Sequence, residues 1–123
     1  MKYIRRHIFS LLTLLLIAVL SLMPAQEFPQ TDIQFADKWA HWVMYAFLFL
    51  AISAERIIRK RSTTFPCFIL IAILVSIYGG LMELGQAYLT STRHGDWLDV
   101  AANTFGAFCG LACLAIYIRF FKK

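Results

Sequence analysis

Three short runs of ionisable and amide residues interrupt a chain that is otherwise mostly apolar. They are Asp37-Lys38-x-x-His41-x-x-x-Tyr45, Glu83-x-x-Gln86, and Arg93-x-x-Asp96-x-x-Asp99-x-x-x-Asn103. Residues three and four apart share a helix face, so each run offers its polar groups as one stripe. A histidine beside carboxylates can move protons, with Glu83 as acid or base next to His41. His41, Glu83 and the aspartates are also ligand types for a divalent ion. Lys38, Arg93 and His94 are suited to phosphate oxygens, the arginine through a two-point grip. The blander role is mutual satisfaction, in which the same groups pin helices in register. There is no His-Glu-x-x-His run, no Gly-x-Ser-x-Gly turn and no serine or cysteine placed as a nucleophile. No cofactor and no assigned metal site are therefore expected, and the catalytic residues of any reaction are not named by the sequence.

The elements that must carry these runs are long apolar blocks. Of the 123 residues, 60% are hydrophobic and 15% charged, too apolar for a soluble domain of this size to cover. The blocks are continuous and lack charged stripes, which points to lipid as the solvent. The expected architecture is all-α, a single domain over 1–123, with a compact bundle of four transmembrane helices at about 8–23, 39–54, 65–89 and 98–121. The first block follows Lys2, Arg5 and Arg6 like a signal peptide, but Met23 spoils a small-x-small cleavage pattern before Ala25. It reads as an uncleaved anchor ended by Pro24. Trp39, Trp42 and Trp97 suit the membrane interface.

Charge sets the orientation. Ten of the twelve Lys and Arg residues fall at the start, in the Arg56–Arg61 turn and at the end of the chain. The positive-inside rule places both termini in the cytoplasm of a multi-pass protein. The net charge of +5 is thereby accounted for without nucleic acid. Cys67, Cys109 and Cys113 lie within apolar blocks and read as small packing residues.

Depth groups the polar runs. Glu83 lies 18 residues beyond Phe65, about 27 Å along its helix and close to the outer boundary. His41 sits about one turn below the outer end of its helix, and Asn103 roughly 7 Å below the outer end of the last. Gly106 and Gly110, four apart on the same stripe, are a helix-packing device. They serve contacts inside the chain or a homodimer.

Together the three runs, continued to Gly106, resemble those of the VanZ-like membrane proteins over roughly Ala36 to Phe120. The resemblance implies a small protein of the bacterial inner membrane and cell envelope. The family takes its name from a protein associated with resistance to the glycopeptide teicoplanin. The functional expectation is a polar pocket at the outer face, formed by Asp37, Lys38, His41, Tyr45, Glu83, Gln86, Arg93, Asp96, Asp99 and Asn103. Its partner would be an envelope lipid or a cell-wall-precursor headgroup. The alternatives are an intramembrane enzyme using His41 and Glu83, or a purely structural network.

Overall fold

The computed structural model describes residues 2–22, 36–59, 61, 64–89 and 97–121. Five helices follow in order: α1 (Lys2–Arg6), α2 (Ile8–Leu22), α3 (Ala36–Ile58), α4 (Phe65–Leu89) and α5 (Trp97–Phe121). No strand occurs among the described residues. The expected boundaries 65–89 and 98–121 sit on α4 and α5. The second helix differs. It begins at Ala36 and continues to Ile58, so Glu55 and Arg56 are helical rather than part of a turn.

Local chemistry explains the ends. The Thr64 carbonyl accepts from the Cys67 and Phe68 amides at 3.0 and 3.3 Å, opening α4. Pro66 follows at a first-turn position, where its missing N–H costs nothing. Asp99 lies in the first turn of α5, where a carboxylate meets the positive end of the helix dipole. Between α1 and α2 the chain kinks at His7, whose amide bonds the Ile4 carbonyl at 3.1 Å.

Length decides which helices can cross a bilayer. α4 and α5 have 25 residues each and α3 has 23, or about 34–37 Å against a hydrocarbon core of about 30 Å. Three helices are long and apolar enough to span, while α2 is a shorter apolar helix of 15 residues. Large apolar side chains such as Leu15, Phe47, Leu74, Leu81 and Ile116 point outward and are more than half exposed. Such a surface is consistent with a multi-pass membrane protein.

The helices alternate in direction. Glu55, near the end of α3, touches the start of α2. Gln86, near the end of α4, reaches Ser21 at the end of α2. α5 packs most extensively on α3 and then on α4. Their shared core holds Tyr45, Leu48, Phe49, Phe68, Ala72, Val75 and Ala107. Close approach of α5 to α3 requires its two glycines. A Cβ on Gly106 would collide with the Trp42 carbonyl oxygen, and one on Gly110 would lie 2.9 Å from Phe49 Cδ1 and 3.1 Å from the Ala46 oxygen. Both glycines are thus spent on packing within one chain, and neither forms an open surface for a second copy.

Candidate functional site

Asp99 is the hub of the polar layer. It is buried on the first turn of α5. Its Oδ1 lies 2.7 Å from Lys38 Nζ, and its Oδ2 lies 3.9 Å from His41 Nε2. One turn further along α5, the fully buried Asn103 places Oδ1 2.9 Å from His41 Nδ1. Its amide nitrogen faces the Gly79 carbonyl of α4 at 3.4 Å. That orientation makes the amide oxygen the acceptor, so His41 Nδ1 carries a hydrogen and Nε2 turns toward the aspartate.

Glu83 completes the group from α4. One ligand atom each from His41, Glu83 and Asp99 lies within 4.8 Å of the others, and all three residues are buried. Lys38, at the rim, brings its ammonium to this group through Asp99. Donor pairs around a tetrahedral zinc with bonds of about 2.0–2.2 Å stand roughly 3.3 Å apart, so three atoms within 4.8 Å of one another are near enough to converge on a cation.

Tyr45 lies one turn beyond His41. Its ring stacks on the imidazole with centroids 6.5 Å apart and leans on Tyr78 at 6.3 Å. It is wholly buried, and its hydroxyl meets no hydrogen-bond partner among the described residues. Gly79 makes room for this crowd, because a Cβ there would sit 2.8 Å from Asn103 Cβ and 3.1 Å from Tyr45 Cε1.

The structure thus brings Lys38, His41, Tyr45, Glu83, Asp99 and Asn103 together. Gln86, also buried and nearly a full turn beyond Glu83, ties α4 to α2: its Nε2 donates to the Ser21 carbonyl at 2.8 Å. Asp37 falls on the first turn of α3, but its side chain lies outside the described residues, as do Arg93, His94 and Asp96. Among the described residues the cluster is compact, with every member but Lys38 buried.

Beside the cluster lies an apolar groove of ≈ 470 Å³, lined by Lys38, Trp39, Trp42, Ala102 and Phe105. Trp39 and Trp42 meet edge to face at 5.5 Å, and Trp42 stacks on Phe105 at 6.3 Å. Lys38 belongs to both places, with its stem in the groove and its ammonium on Asp99.

Sequence reasoning missed a second polar joint, at the far end of α3. Glu55 is buried there, and its Oε1 accepts from the Phe9 and Ser10 amides at 2.7 and 3.0 Å, while Oε2 accepts from Ser10 Oγ at 2.6 Å. A carboxylate thereby satisfies the exposed amides at the start of α2 and meets its dipole. The available signal was the stripe Ser10, Thr13, Ile17 and Ser21, all buried, which marks α2 as a helix packed on protein.

In comparisons with known proteins, no family model, no curated protein and no solved structure matches this chain.

Proposed function

We propose that the protein is a four-span membrane protein with both termini in the cytoplasm, and that its outer polar layer recognises the headgroup of an anionic envelope lipid or lipid-linked cell-wall precursor. The observation that carries this reading is the position of Lys38. Its ammonium sits on the buried His41–Asp99–Asn103 cluster while its stem lines the Trp39–Trp42–Phe105 groove. An anionic amphiphile needs that combination, a cation for its head and an adjacent apolar channel for its chain. The tryptophans supply the amphipathic surface found at headgroup depth. The Lys and Arg distribution supports the orientation, and the resemblance of the three polar runs to VanZ-like proteins supports a place in the bacterial inner membrane.

The test is identification of the lipids retained by purified protein, comparing wild type with Lys38→Gln and Ala102→Phe. The first removes the cation and the second fills the groove. An anionic amphiphile retained by wild type and lost from both variants is expected. Identical lipid profiles in all three would remove the reading.

A second reading is favoured by the short separation of His41, Glu83 and Asp99 donors, which would let the layer hold a divalent cation at the expense of the Lys38–Asp99 pair. Stoichiometric metal in the purified protein, lost in Glu83→Gln, is its expected signature. Metal-free protein with intact lipid retention would eliminate it.

A further inference from the structure

At the opposite end of the bundle from the His41 cluster, three separated stretches of chain enclose a cavity of ≈ 370 Å³. Arg6 and His7 come from the α1–α2 junction, Glu55, Arg56 and Arg59 from the end of α3, and Arg61 from beyond it. Among the described residues, four guanidinium groups thus share the wall with the Glu55 carboxylate. That carboxylate is largely committed to α2, through the Phe9 and Ser10 amides and the Ser10 hydroxyl. Arg59 touches it only at 3.4 Å.

Arg59 is also held in place. Its Nη1 and Nη2 lie 3.0 and 3.1 Å from Nε2 and Nδ1 of His7, and the one imidazole nitrogen that lacks a hydrogen accepts from the guanidinium. Fixed, planar N–H donors lose little entropy on gripping a tetrahedral oxyanion. Arg6, Arg59 and Arg61 direct positive charge at one open space, a field that attracts an anion. Ordinary positive-inside bias requires only that such residues lie on one side of the membrane. It does not require them to converge from different parts of the sequence on one cavity.

We propose that this cavity is a binding site for a phosphate-bearing anion, in which Arg6, Arg59 and Arg61 contact the phosphate oxygens and Glu55 and His7 orient Arg59. The phosphate belongs either to an anionic lipid headgroup, reached from the flank of the bundle, or to a free phosphate ion. The site is independent of the groove at Lys38, and its failure would leave that reading untouched.

The test uses the full chain reconstituted in nanodiscs of phosphatidylcholine with and without a minor fraction of phosphatidylglycerol. Retained lipid is counted by native mass spectrometry, and inorganic phosphate binding is followed by calorimetry. Arg6 and Arg61 are exposed, so Arg6→Gln and Arg61→Gln leave the fold intact, which circular dichroism checks. Each is expected to weaken binding about tenfold, the loss of one charge-assisted contact. Arg119→Gln, which removes an exposed charge from the last turn of α5 without touching the cavity, is expected to change nothing. Preferential retention of phosphatidylglycerol supports the site and names the headgroup as its ligand. Binding of inorganic phosphate without that preference supports it with the free ion as ligand. Binding of neither, or an equal loss in Arg119→Gln, overturns the proposal.

Discussion

At the residue scale, Asn103 does the most with one side chain. It fixes the His41 tautomer and bridges α5 to the α4 backbone. Asn103→Ala leaves a buried imidazole N–H without its acceptor, and should cost about 1–3 kcal/mol in detergent-titrated unfolding. The Lys38–Asp99 contact is short and mostly shielded, with side-chain exposures of 19% and 7%. A double-mutant cycle through Lys38→Gln and Asp99→Asn should therefore give a coupling above the roughly 1 kcal/mol ceiling of surface pairs. A coupling near zero would mean that the ammonium is solvated rather than docked. Much of this cluster was legible in the sequence, because ionisable residues are rare in apolar helices and helical spacing lines them up. The tie from Gln86 to Ser21 of α2 was not legible, because the spacing of Glu83 and Gln86 gives the face they share and not the helix that face meets.

At the scale of elements, α2 is fastened at three heights. Glu55 holds its start, Tyr78 Oη donates to the Leu14 carbonyl at 2.6 Å, and Gln86 donates to Ser21 at its end. Glu55→Ala should release the first turn of α2. Hydrogen exchange at the Phe9 and Ser10 amides is expected to rise by at least about tenfold, the equivalent of losing about 1.4 kcal/mol of protection. Gly106→Val should be among the most damaging single changes, since it drives two methyl groups into the α3 backbone at Trp42. A loss of about 1–3 kcal/mol or more, with falling protein yield, is expected. The small-x-x-x-small spacing made this contact visible from sequence, but could not say which helix would answer it. Glu55 was harder to read. It stands in a run of arginines, and its charge there suggests a solvated turn. Only the three-dimensional approach of the α2 amino terminus turns it into a buried cap.

For the whole molecule, the up-and-down order puts the starts of α2 and α4 and the ends of α3 and α5 at one end of the bundle. With Cys67, Cys109 and Cys113 replaced by alanine, single cysteines at Lys2, Thr64 and Phe121 should react with an impermeant maleimide from one face of the membrane. Cysteines at Leu89 and Trp97 should react from the other. Labelling of Lys2→Cys from the Leu89 face would break the four-span topology while leaving α3, α4 and α5 as spans. The all-helical class and the three long apolar helices were legible because lipid imposes continuous apolar runs of a fixed length. What the sequence underdetermined was α2, whose composition fits a packed span as well as the uncleaved anchor it reads as. Its length has a physical corollary. At about 22 Å, α2 is shorter than a hydrocarbon layer of about 30 Å, whereas α4 and α5 exceed it. In the proposed four-span topology, one flank of the molecule would pinch the surrounding bilayer while the other stretched or tilted to fit it, and such lopsided mismatch would draw the protein toward thinner regions of membrane.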